Sequence, residues 1–150
     1  MTFKLEEMPG HRVAYMRQVG PYGADNKGLM EKLKSWAASN KLLNESAIIL
    51  GIAHDNPAAT LPENCRYDVC IVVPEDYDIK DENISETELS GGRYAVFTLK
   101  HTAEDIEKAW GEMMAELSGQ GRSIDPARPI FERYVPGMVA KNQCELCVPV

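Results

Sequence analysis

Gly92-Arg93-Tyr94-Ala95-Val96-Phe97 decides the fold, because the chain has already said nearly the same thing as Gly10-His11-Arg12-Val13-Ala14-Tyr15-Met16. Each phrase is followed by a helical stretch carrying a tryptophan, Trp36 in the first half and Trp110 in the second. Each half then closes on an acid-x-Cys strand that runs into Val and Pro. The first is Asp68-Val69-Cys70-Ile71-Val72-Val73-Pro74, the second Glu145-Leu146-Cys147-Val148-Pro149. The offsets are 81 for Ala14 to Ala95, 74 for Trp36 to Trp110 and 77 for Cys70 to Cys147, so the connecting loops differ in length. Neither unit can bury an apolar face alone. Packing the two together closes a core and leaves a groove along the seam, a natural place for a small molecule.

Working outward, Arg12 to Val19 alternates as a strand and stops at the turn Gly20-Pro21-Tyr22-Gly23. Leu29, Leu33, Trp36 and Ala37 recur at helical spacing between Ala24 and Ser39, with Met30 beside the stripe. Strands follow over residues 46–53 and 65–73, separated by a loop that opens with His54-Asp55-Asn56-Pro57. In the second half a strand over 93–100 leads to Thr102, a helix cap with Asp105 at the N3 position. Ile106, Ala109, Trp110, Met113, Met114 and Leu117 then form one apolar face. Strands over 130–135 and 144–150 finish the chain. The order is β-α-β-β twice, an α+β fold with an antiparallel sheet, both helices on one side and a central cleft.

With 150 residues, 44% of them hydrophobic, one domain spanning 1–150 is expected. Its halves are about 1–74 and 91–150. Residues 75–88 hold seven acids and one lysine, −6 of the net −7, and mark an acidic, solvated linker over about 75–90. No basic face is evident, so direct binding to nucleic acid is not expected. A negative molecule instead tends to attract cations. No run approaches 18 apolar residues, which excludes a transmembrane helix, and the start Met1-Thr2-Phe3-Lys4-Leu5-Glu6-Glu7 is too acidic for a secretory signal. A cytoplasmic protein is the default.

Cys144 and Cys147 have zinc-ligand spacing, but within one strand residues three apart face opposite sides. All four cysteines, including Cys65 and Cys70, are expected as buried free thiols, with no metal and no cofactor.

On the strand Ile130-Phe131-Glu132-Arg133-Tyr134 the period of two puts Ile130, Glu132 and Tyr134 on one face. A carboxylate between an aliphatic and an aromatic residue is out of place on a core surface, where it costs free energy or takes up a proton. Lining a groove, it would receive an organic cation, with aromatic faces adding about 0.5–2 kcal/mol. The alternative is that Glu132 pairs with a neighbouring arginine or points into water.

Arg12-Val13-Ala14-Tyr15, Val19-Gly20-Pro21-Tyr22, Tyr67-Asp68-Val69-Cys70, Val73-Pro74, Gly91-Gly92-Arg93-Tyr94-Ala95-Val96, Phe131-Glu132-Arg133-Tyr134 and Val148-Pro149-Val150 together resemble the GyrI-like small-molecule-binding family. That family includes effector-binding domains of AraC-type and MerR-type multidrug regulators and stand-alone gyrase-inhibitory proteins. The resemblance implies two SH2-like βαββ halves related by a pseudo-twofold, with a ligand cleft between them. It also implies that Glu132 contacts cationic ligands.

Tyr134 and Tyr67 are expected beside Glu132, and Trp110 serves equally well as core or as cleft wall. The leading expectation is a stand-alone module that binds amphipathic, cationic molecules for sensing or sequestration, with DNA gyrase as a weaker partner. A hydrolase of electrophilic, cyclopropane-bearing natural products is the alternative, with Glu132 as catalytic general base. An adaptor that docks through the acidic linker is a third reading. Against an enzyme stand the missing Gly-x-Ser-x-Gly and His-Glu-x-x-His motifs. His11, His54 and His101 all adjoin turns and are read as surface residues.

Overall fold

The computed structural model describes residues 2–150, with Ala24 described by its backbone alone. The elements run β1 (Lys4–Met8), β2 (His11–Val19), α1 (Ala24–Ser39), β3 (Ile49–Ala53), β4 (Arg66–Val72), β5 (Ser85–Leu89) and β6 (Gly92–Lys100). They continue through α2 (Ala103–Gly119), β7 (Phe131–Tyr134), α3 (Pro136–Val139) and β8 (Gln143–Pro149). All eight strands form one antiparallel sheet in the order β1-β6-β8-β7-β3-β4-β2-β5. No helix among the described residues is long and apolar enough to cross a membrane.

The seam between the halves is the β3–β7 pair, with Ile49 opposite Tyr134, Leu50 opposite Arg133 and Gly51 opposite Glu132. Two strands lie outside the expected β-α-β-β repeats. β1 pairs with β6 of the second half, and β5 with β2 of the first, so each half lends its leading strand to the other. The stretch expected as an acidic, solvated linker therefore ends in a strand. Its acidic side chains are exposed all the same, and Glu86 reaches Arg12 at 2.7 Å. Charged, exposed outer strands lack the apolar alternation that advertises an ordinary strand, and the same charges discourage edge-to-edge association.

The sheet is strongly curled. β2 and β6 are five strand spacings apart, about 24 Å in a flat sheet, yet their leading turns touch. A Cβ on Gly91 would fall 2.5 Å from the Met8 carbonyl and 2.7 Å from the Gly10 amide nitrogen, so only glycine fits where the turns cross. Curling lets the back faces of the two halves bury one another. Val13, Leu50 and Ile52 of one half share a cluster with Tyr94, Val96 and Phe131 of the other.

Both helices occupy the front. Leu29, Leu33 and Ala37 of α1 cover Ala14, Val69 and Ile71, while Ala109, Met113 and Leu117 of α2 cover Ala95, Phe97 and Leu146. The Thr102 hydroxyl accepts from the Asp105 amide at 3.1 Å and donates to its carboxylate, which caps α2. Met114 corrects the apolar face drawn above: it is 58% exposed, because the stripe that meets the sheet is narrower than the sequence spacing allows. The four cysteines are free and buried. Cys147 sits in the back cluster, while Cys144 shares the front face with Leu146, as period-two alternation requires.

Candidate ligand-binding cleft

Because α1 packs on β2 and β4 while α2 packs on β6, the central strands β3 and β7 lie uncovered between them. The gap is a cavity of about 520 Å³ walled from both halves, by Met30, Ile49 and Tyr67 on one side and by His101, Tyr134 and Val139 on the other. That volume suits a drug-sized molecule.

Alternation along β7 sends Phe131 into the back cluster and Arg133 toward the back as well, while Glu132 and Tyr134 face the cleft side. Glu132 is half-buried. Its Oε1 accepts from the Trp110 indole N–H at 3.1 Å, and its Oε2 accepts from the Tyr134 hydroxyl. Among the described residues no basic side chain forms an ion pair with it. The adjacent Arg133 is spoken for on the back face, held by Glu145 at 2.8 Å and Glu6 at 2.9 Å. Neither alternative raised for Glu132, an arginine partner or a fully solvated position, describes this geometry.

Gly51 faces Glu132 across the seam, and its missing side chain has a use. A Cβ there would overlap the Tyr67 hydroxyl and lie 3.6 Å from Glu132 Oε2. Tyr67 thus leans over β3 toward the carboxylate. Burial, followed by the negative charge of Glu132, pushes both the Tyr67 and Tyr134 phenols well above their ordinary range, so both stay protonated. Burial first, then Glu132, likewise raises the Cys144 thiol to about 12, which leaves it an inert, buried, neutral group.

The structure thus brings Glu132, Tyr134, Tyr67 and Trp110 together. Tyr67 and Tyr134 wall the cavity, whereas Glu132 and Trp110 stand immediately behind them. Trp110 packs beside the α2 cluster and does not line the cavity, while its N–H holds the carboxylate. Two contributors escaped the sequence reading. His101 is exposed, as read from the sequence, yet it also stacks on Tyr134 with ring centroids 5.0 Å apart and lines the cleft. The short helix α3 follows a strand-breaking Pro136 and supplies Val139 to the lip.

His54 is exposed, as expected, and it also makes a specific contact. Its Nε2 lies 2.7 Å from Asp68, which Arg17 clasps through two bonds of 2.7 and 2.9 Å. Burial pushes Asp68 up, and the hydrogen bonds from Arg17 and His54 outweigh it and hold the carboxyl below its ordinary value. This cluster belongs to the back of the sheet and ties β2 to β4.

A curled antiparallel sheet with an open, aromatic seam defines a small-molecule-binding class of protein. The GyrI-like small molecule binding domain matches residues 1–150, and the chain belongs to that family. It is similar to the SPbeta prophage-derived protein YosT of Bacillus subtilis (strain 168), 41% identical over 100% of this chain and 99% of that protein. DNA gyrase inhibitor 1 of Dickeya dadantii (strain 3937) is 26% identical over 90% of this chain and 88% of its own. Among solved structures, the EcmrR C-terminal domain superposes with a TM-score of 0.75 at 18% identity, covering 99% of this chain and 98% of that one. SAV2435 bound to tetraphenylphosphonium gives 0.61 at 14% identity, covering 100% and 94%. These two likenesses establish the shared fold.

Proposed function

We propose that this protein binds amphipathic organic cations in the cleft, with Glu132 as the anionic anchor, Tyr67 and Tyr134 as walls and Trp110 as the group that orients the carboxylate. The observation that carries the reading is a half-buried carboxylate supplied only with neutral donors, beside a largely apolar cavity. An unpaired charge of this kind is costly to keep unless something uses it. A ligand cation about 4 Å away recovers roughly 4 kcal/mol at an effective dielectric near 20, before desolvation. Aromatic faces add a further cation–π attraction. The tetraphenylphosphonium bound by the structural neighbour SAV2435 is a cation of this class. A sensing or sequestering role follows from binding without chemistry. A gyrase-modulating role draws support only from the names of relatives, since no described residue singles out a gyrase contact.

The test is a thermal-shift screen against cationic dyes and drugs, because a ligand that binds only the folded state raises its melting temperature. Hits that shift wild type but not Glu132→Gln support the anchor. Equal shifts in both would remove it. Recovery of chemically altered ligand would favour the hydrolytic reading, in which Glu132 serves as general base and Tyr134, Tyr67 or Trp110 positions the substrate.

A further inference from the structure

We infer that the cleft selects cations carrying N–H donors, protonated amines and amidines, over quaternary or phosphonium cations of the same bulk. The inference rests on the cation-binding reading and goes further, because it concerns what the floor of the cleft can accept. Tyr134 spends its only O–H on Glu132, so its oxygen faces a ligand as an acceptor. Being a donor to a carboxylate polarises that oxygen and strengthens it as an acceptor. Each Glu132 oxygen takes one protein donor, from Trp110 or Tyr134, and keeps capacity for another.

The Tyr67 hydroxyl completes the set. It has no hydrogen-bond partner among the described residues, although Tyr67 walls the cavity and its oxygen is drawn over Gly51 toward Glu132. An unused hydroxyl at the edge of a cavity awaits a ligand group. Three acceptor-bearing groups therefore converge on the seam, with one unspent O–H between them. A quaternary cation meets only ring faces there and leaves the remaining acceptor capacity of these oxygens unused, whereas a protonated amine donates to them and feels the carboxylate through Tyr134. Gly51 is the specificity-determining position, since any side chain on it would displace the Tyr67 hydroxyl.

Calorimetric titration with 4-phenylbutylamine and with 4-phenylbutyltrimethylammonium tests this at about pH 7.5, where the amine is fully protonated. Wild type is expected to hold the amine at least about tenfold more tightly, the size of one charge-assisted hydrogen bond. In Tyr67→Phe that preference should shrink by about threefold or more, and a urea midpoint near that of wild type shows that the variant is folded. A quaternary ion bound as tightly as the amine in wild type, or a preference unchanged by Tyr67→Phe, overturns the inference and leaves the cation cleft standing. Failure of both probes to bind wild type overturns the inference and the cation reading together.

Discussion

Asp68 and Glu145 lie on the back of the sheet, 4% and 5% exposed, and each is clasped by an arginine. Glu132 lies on the front, between Tyr67 and Tyr134, and meets only an indole N–H and a phenol. The same sheet thus handles buried negative charge in two ways. Where the charge is structural, its counter-charge is built in. Where it stands behind the wall of a cavity, no basic side chain among the described residues pairs with it. Arg133 makes the contrast sharp, because it sits one residue from Glu132 and turns its back on it.

Breaking the back-face side of the contrast has the largest expected effect. Arg133→Met leaves Glu6 and Glu145 without their shared partner, and removing one member of a buried pair costs about 3–5 kcal/mol. Urea denaturation should show that loss as a lower midpoint, whereas Glu132→Gln should shift stability by only about 1 kcal/mol. On the front face the order reverses. Glu132→Gln should weaken binding of a cationic ligand by about thirtyfold, roughly 2 kcal/mol, while Arg133→Met, where it folds, leaves affinity near wild type.

A finer cut comes at Gly51. Gly51→Ala forces the new methyl against the Tyr67 hydroxyl, and overpacking of this kind costs about 1–3 kcal/mol. The double variant Gly51→Ala with Tyr67→Phe removes the colliding atom and should recover about half of that loss in a melting experiment. If Gly51→Ala melts like wild type, Tyr67 is free to swing and the floor of the cleft is not preorganised.

The smallest effect is in acid. Asp68 sits below its ordinary value of 3.8, and Asp55, bonded to Arg66, sits at about 2. A carboxyl depressed on folding adds stability above its unfolded value and loses it as pH falls toward the folded one. Stability should therefore fall between about pH 4 and pH 2, and Asp68→Asn should flatten part of that slope. An unchanged slope in Asp68→Asn would mean that the Arg17 and His54 contacts do not bias its ionisation.

Much of this architecture is legible in the chain, for physical reasons. The two helices, and the strands paired within each half, carry their own periodicity, so the duplicated plan and the facing of Glu132 and Tyr134 can be read from spacing. β1 and β5 cannot be read so easily, because an outer strand needs no apolar alternation and these two carry charge instead. The carboxylate's donors are equally hidden. Trp110 and Glu132 stand 22 residues apart in the chain and meet only because α2 and the cleft side of β7 share one face of the sheet. Gly51 looks like a weak point in the strand Ile49-Leu50-Gly51-Ile52-Ala53 until Tyr67 is seen lying over it. His101 belongs to the cleft because of where β6 ends, not because of its neighbours in sequence.

The most direct measurement is a structure of the complex with an aromatic amine. The account predicts density between β3 and β7, with the ammonium within about 6 Å of the Tyr67 or Tyr134 ring centre and close to Glu132. A ligand seated elsewhere, or one whose cation turns toward bulk water while Glu132 keeps only Trp110 and Tyr134, would contradict it.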